Sequence, residues 1–172
     1  MPVDVSSFND ITHEILGAAI EVHRTLGPGL LESIYLPCLQ FELTTRNVKY
    51  EAQRPVPIVY KGFPLTISYR IDLIVEGLIV VEVKSVAALL KVFEAQLLTY
   101  LQLTHCPAGL LINFNVPRLM DGVKRFINPR AAAERGRDIL PPRAMAGAGR
   151  ENAGTEDTGT EDTGTEDTEG TV

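Results

Sequence analysis

The stretch from Tyr69 to Lys84, YRIDLIVEGLIVVEVK, constrains the fold more than any other part of the chain. It holds two apolar segments, Tyr69 to Val75 and Leu78 to Ser85, on either side of Glu76-Gly77, the pattern of a β-hairpin. Strands this apolar are covered on both faces, yet Asp72 sits inside the first and Glu82 and Lys84 inside the second. Side chains alternate along a strand, so Glu82 and Lys84 share a face. Burying such charges costs several kcal/mol per ion if nothing compensates them. A divalent cation is one compensation: Asp72 and Glu82 offer hard oxygens to Mg²⁺, and Lys84 can activate water and stabilise charge developing on a phosphate. An ion pair within the sheet, Glu82 with Lys84 or Asp72 with Arg70, is the ordinary alternative.

Register sets a condition on the metal reading. A plain two-residue turn at Glu76-Gly77 would pair Asp72 with Val81, placing it on the wrong face from Glu82. Convergence requires a loop of odd length or a bulge between Asp72 and Glu82, and Gly77 can supply the positive φ such a loop needs.

The flanking segments are punctuated clearly. Ile11, Ile15, Ala18, Ala19, Val22 and Leu26 recur at helical spacing and predict a helix from about Asn9 or Asp10, stopped by Gly27-Pro28-Gly29. A second helix is expected from about Leu30 to Arg46, kinked or broken at Pro37. Val56 to Tyr60 and Phe63 to Ser68 flank Lys61-Gly62, a further hairpin. Val86 to Thr104 has helical periodicity, Gly109 to Phe114 reads as a strand buried on both faces, and Leu119 to Ile127 as a last short helix. Two spacings bear on function. Glu32 and Tyr35 lie three apart after the Gly-Pro-Gly break, and Gln96 and Tyr100 lie four apart on one face of the long helix. Taken singly, Glu32 suits the positive end of a helix dipole, and the other pair suits a half-buried surface.

The net charge of −6 belongs to the C-terminus: from Arg150 onward there are eight of the 22 acids and one of the 16 bases, leaving 14 acids and 15 bases before it. A near-neutral body permits a polyanionic partner if its bases cluster. From about residue 129 the composition turns to Ala, Gly, Arg and Pro and then to Gly-Thr-Glu-Asp-Thr repeats from Gly154 to Thr168. Residues 129–172 are therefore expected to be a disordered low-complexity tail, because the repeat has too little apolar surface to offset its ordering entropy. An autoinhibitory, phosphate-mimicking tail is the lesser alternative. Cys38, Cys106, His13, His23 and His105 show no zinc-ligand spacing. MPVDVSSFND lacks the basic and apolar regions of a secretory signal, and no apolar run reaches the roughly 18 residues of a membrane span. The expected compartment is the cytoplasm, with reduced thiols and no membrane partner.

Taken together, Gly29-Leu30-Leu31-Glu32-Ser33-Ile34-Tyr35, Tyr69-Arg70-Ile71-Asp72, Glu82-Val83-Lys84, Glu94-Ala95-Gln96-Leu97-Leu98-Thr99-Tyr100 and Gly109-Leu110-Leu111-Ile112-Asn113-Phe114 resemble the GxxExxY family. That family is a branch of the PD-(D/E)xK nucleases. The likeness spans about residues 8–128, which are expected to form the nuclease-like domain. It implies an α/β (α+β) fold of the restriction-endonuclease type, an αβββαβ core with a mixed central sheet flanked by helices. It also implies that Glu32, Asp72 and Glu82 hold the metal, that Lys84 is the catalytic lysine, and that Gln96 and Tyr100 stand beside them. Ile71 replaces the proline of the superfamily name, Phe93 stands where many relatives carry a histidine, and Pro37 is unusual within its helix. The implied activity is Mg²⁺- or Mn²⁺-dependent phosphodiester hydrolysis of nucleic acid, DNA ahead of RNA. A phosphate-binding rim would come from Arg54, Lys61, Arg70, Lys91, Arg118, Lys124 and Arg125. The rival is a module that keeps the fold and binds nucleic acid or a protein without cutting. A homodimer is compatible with either.

Overall fold

Two helices open the chain in a computed structural model that describes residues 5–134. Helix α1 (Val5–Leu26) begins before the predicted Asn9, and α2 (Glu32–Thr45) follows the Gly-Pro-Gly break. Helix α2 runs through Pro37 without interruption. The expected strands lengthen and merge: β1 (Tyr50–Tyr60) starts six residues ahead of Val56, and β2 (Phe63–Val75) is one continuous strand where two were expected. Lys61 and Gly62 both have positive φ (49° and 83°) and join Tyr60 to its partner Phe63, the geometry of a type I′ hairpin. Strand β3 (Ile79–Lys84), helix α3 (Lys91–Thr104) and strand β4 (Ala108–Asn113) complete the core.

The sheet continues to a fifth strand, β5 (Val123–Ile127). The strands lie in the order β1-β2-β3-β4-β5, antiparallel except for the parallel β3–β4 pair bridged by α3. This is the mixed, helix-flanked sheet expected of a restriction-endonuclease-like core. Strands β3 and β4 are buried along their whole length, as their apolar sequences require. One face packs Leu73, Val75, Val81 and Val83 against Ala18 and Ala19 of α1 and Tyr35, Leu39 and Leu43 of α2. The other packs Ile74, Val80 and Leu111 against Leu97, Tyr100 and Leu101 of α3. Each fully buried large side chain contributes about 1.5–3 kcal/mol.

Three sequence expectations fail for identifiable reasons. The segment Leu119 to Ile127 is not a helix: a 3₁₀ turn (Leu119–Gly122) leads into β5, which pairs with β4. Val123 and Phe126, three apart, imitate a helical face, but they pack on opposite sides of the sheet. Helix α3 starts at Lys91 rather than Val86, because Asn113 captures the backbone of Val86. Pro129–Glu134 forms a short helix, α4, with Ala131 buried, although the composition places these residues in the tail. The remainder of the expected tail, including the acidic repeat, lies outside the described residues. No helix among the described residues is long and apolar enough to cross a membrane.

Candidate active site

The turn between β2 and β3 has three residues, Glu76 to Leu78, so the loop is odd, as convergence demands. Its pairs are Val75↔Ile79, Ile74↔Val80 and Leu73↔Val81. Glu76 and Gly77 carry the positive φ angles, 51° and 65°. Glu76 is held there by its own carboxylate, which accepts the Lys49 N–H at 2.8 Å, and by its N–H, which donates to the Lys49 carbonyl at 2.9 Å. The next pair outward would be Asp72 with Glu82, but there the ladder stops. The Val83 N–H donates to Asp72 Oδ2 at 2.9 Å, and Gln53 Nε2 donates to Oδ1 at 3.1 Å. Asp72 is thus aimed by two bonds that leave its charge uncompensated.

Glu82 and Lys84 have the parity of Val80 and face α3. Asp72, Glu82 and Lys84 are buried, with 9%, 3% and 8% of their surface exposed. Lys84 Nζ donates to Glu82 Oε1 at 2.7 Å and to the Val83 carbonyl at 2.9 Å, and it reaches Glu32 Oε1 at 3.7 Å. The Phe93 ring lies 5.7 Å from the same ammonium. Glu82 Oε2 is buried and has no hydrogen-bond partner. Burial, and then the charge on Asp72, push the Glu82 carboxyl up to about 7 despite its bond to Lys84. Burial also raises Glu32, where it and Asp72 outweigh the attraction of Lys84. At Lys84 burial is the largest single influence and works against the ammonium, but Glu82, Glu32 and Asp72 together hold it above the usual lysine range.

A family model of the PD-(D/E)XK nuclease superfamily matches residues 9–126. The chain belongs to this superfamily. No curated protein and no solved structure matches it.

The structure does not gather Glu32, Asp72 and Glu82 around a single point, as the resemblance implied. Among the described residues no three His, Cys, Asp or Glu side chains are grouped so as to hold a metal ion. The ammonium of Lys84 lies between Glu82 and Glu32, and Glu32 joins the cluster through it. The donor set nevertheless fits a hard divalent ion: Asp72 and Glu82 converge, and Glu82 Oε2 is an acceptor without a donor.

Gln96 and Tyr100 stand in the same wall. The Gln96 amide donates to the Tyr100 hydroxyl, whose own proton is held up to about 12 by burial and by Glu82. Tyr35 positions the site from behind. Its hydroxyl donates to the Gly27 carbonyl at 2.7 Å and accepts the Leu30 N–H at 3.0 Å, closing the loop that delivers Glu32, while its ring stacks on Phe114 at 4.5 Å.

Sequence reasoning missed Gln53 and Asn113. Extending the Tyr60↔Phe63 register regularly would pair Gln53 with Arg70. An irregularity between Pro57 and Val59 shifts the register by two, which brings Gln53 opposite Asp72. Asn113 Oδ1 accepts the Val86 N–H at 3.0 Å and its Nδ2 donates to the Val86 carbonyl at 2.8 Å, fixing the chain two residues past Lys84. A buried Asn at the end of an apolar strand was the available signal.

Proposed function

We propose that this protein hydrolyses phosphodiester bonds in nucleic acid, DNA in preference to RNA, with Mg²⁺ or Mn²⁺, as a member of the GxxExxY branch of its superfamily. Membership of the superfamily points to metal-dependent nuclease activity. The observation that carries the reading is the buried Glu82 carboxylate, which has an unpartnered oxygen beside Asp72 and Lys84. Asp72, Glu82 and Lys84 then stand for the acid, acid and lysine of the superfamily's name. Asp72 and Glu82 would hold the cation, with Glu32 joining once Lys84 turns away from it. A bound divalent ion lowers the pKa of water and neutralises charge on the phosphate. Lys84 would supply a hydrogen-bond donor that orients the attacking water or stabilises charge on a phosphoryl oxygen, and burial keeps its charge poorly screened. Phe93 presents only a ring face to Lys84, so it accepts no proton; the chemistry must run without a base at that position.

The same Phe93, with Lys84 tied to Glu82 and Val83, favours the second reading, a nuclease fold that binds nucleic acid or protein without cutting. Cleavage of supercoiled plasmid and of single-stranded DNA with Mg²⁺ and with Mn²⁺ separates the two. Activity that is lost in Asp72→Ala and Lys84→Ala supports the nuclease. Equal activity in all three proteins indicates a contaminant, and no activity in any leaves the binding module.

A further inference from the structure

We infer that the outer part of the β1–β2 hairpin is a track that binds single-stranded nucleic acid and leads it to the acid cluster. The inference rests on the nuclease reading for what happens at the end of the track. Strand β3 pairs with β2 only at Leu73 to Val75, so from Ile71 to Phe63 strand β2 is paired with β1 alone. The hairpin therefore forms a two-stranded arm with no third strand beside it among the described residues.

Val56 pairs with Tyr69 and Tyr60 with Phe63, and between these two pairs β2 carries two more residues than β1. Val56 and Ile71 pack with Tyr100 on the α3 side, and Tyr60 and Phe63 stand opposite each other at the outer end. Tyr69 makes an edge contact with Tyr100 at 5.3 Å between ring centroids. Aromatic rings thus stand at both ends of the arm, Tyr69 against Tyr100 beside the acid cluster and Tyr60 with Phe63 at the tip. The six residue steps from Tyr69 to Phe63 span about 20 Å of strand. At its outer end Tyr60 is 63% and Phe63 68% exposed.

Charge identifies the occupant. From Ala52 to Ile71 the arm contains no Asp or Glu, whereas it contains Arg54, Lys61 and Arg70. Arg54 pairs with Glu51 at 3.3 Å, but Lys61 lies over the Tyr60 ring at 5.6 Å, at the tip. Exposed rings with Lys61 beside them and no acid along the arm suit a single strand: nucleobases stack on the rings and phosphates meet the cationic side chain. A duplex keeps its bases stacked on one another and cannot use the rings. A hydrophobic dimer contact would explain the rings but not the absence of acids.

The test uses the full chain, labelled oligo(dT), a duplex of the same length, and the double variant Tyr60→Ser/Phe63→Ser. Both side chains are exposed, and circular dichroism checks that the fold persists. Binding of oligo(dT), measured by anisotropy in EDTA, should weaken by about tenfold or more, while duplex binding changes by less than about twofold. Hydrolysis of bis(p-nitrophenyl) phosphate, too small to reach the arm, should be the same in the variant and the wild type. The chain has no tryptophan, so Phe63→Trp adds a lone fluorescent reporter, which oligo(dT) should quench and duplex should not. Unchanged oligo(dT) binding, equal loss of both ligands, or a Phe63→Trp protein whose fluorescence oligo(dT) leaves unquenched overturns the track. So does a wild-type dimer that the double variant dissociates, which would make the arm a contact between two copies. If binding behaves as expected but the wild type cleaves nothing, the track stands and the nuclease reading falls.

Discussion

Replacing Lys84 with Met removes the ammonium that touches both Glu82 and Glu32 while keeping most of the side-chain volume. In the wild type without metal, burial and the charge on Asp72 hold the Glu82 carboxyl up to about 7 in the folded protein, against an ordinary value of 4.5. Between those values the folded state holds a proton that the unfolded state has released. Stability is therefore fully present below pH 4.5 and declines as pH rises to 7, by about 3 kcal/mol at roughly 1.4 kcal/mol per unit. Well above pH 7 both states are ionised and the contribution is constant. In Lys84→Met the hydrogen bond and charge that oppose burial are gone, so the Glu82 pKa moves further up and the decline continues past pH 7. Glu32, already raised, changes in the same sense. The gap between variant and wild type should then widen by up to about 1 kcal/mol between pH 7 and pH 8, since the wild type loses the last of its own contribution over that interval. At pH 6, where Glu82 is largely neutral in both, the loss should stay near the worth of the hydrogen bonds removed, about 1–3 kcal/mol. Urea denaturation in EDTA at pH 6, 7 and 8 measures this. A gap that does not change with pH would show that Glu82 is not the buried, raised acid its surroundings make it.

Three further substitutions probe the scaffold. Asn113→Ala strands both backbone groups of Val86 and should cost about 2–3 kcal/mol by urea denaturation, with faster hydrogen exchange at Val86. Gly122→Ala would place a Cβ 2.3 Å from the Asn113 carbonyl oxygen and should lower stability by about 1–3 kcal/mol or more in a thermal melt, with β5 displaced. Tyr35→Phe removes the hydroxyl that bonds Gly27 and Leu30; it should cost about 1–2 kcal/mol and reduce nucleic-acid cleavage more than it reduces oligonucleotide binding, because the loop that carries Glu32 loosens.

The core strands were legible because β3 and β4 are buried on both faces and read as unbroken apolar runs. The odd loop between β2 and β3 was legible from parity: three residues, not two, are the simplest way to bring Asp72 and Glu82 to one face. What escaped was decided by distant partners. Nothing local in Val86 to Leu90 opposes a helix; Asn113, twenty-seven residues on, holds Val86 out of it. Val123 and Phe126 have helical spacing, and only pairing with β4 makes them a strand. Gln53 reaches Asp72 through a register shift that no local pattern announces. The position of Glu32 relative to the other acids depended on where the Lys84 side chain settles, which strand periodicity does not specify.

An ion pair within the sheet explains part of this cluster, since Lys84 does donate to Glu82. It does not explain the rest. Asp72 is aimed by Gln53 and Val83 rather than by any cation, and Glu82 keeps a buried oxygen that nothing meets. Three carboxylates face one ammonium, so when all are ionised the site carries excess negative charge in a place where burial makes it costly. A structural pair would gain by losing one of those acids. A site that binds a divalent cation needs them, and the excess is what the ion neutralises. In that case Lys84 competes with the metal for Glu82 and Glu32 as well as assisting the reaction. Lys84→Met should therefore bind Mn²⁺ roughly tenfold or more tightly than the wild type by titration calorimetry, since one repelling unit charge is gone from a poorly screened site, and yet cleave nothing. Glu82→Gln should bind it more weakly than the wild type. If Lys84→Met loses Mn²⁺ affinity instead, the ammonium is part of what organises the acids for the ion, and the view of it as a resident competitor is wrong.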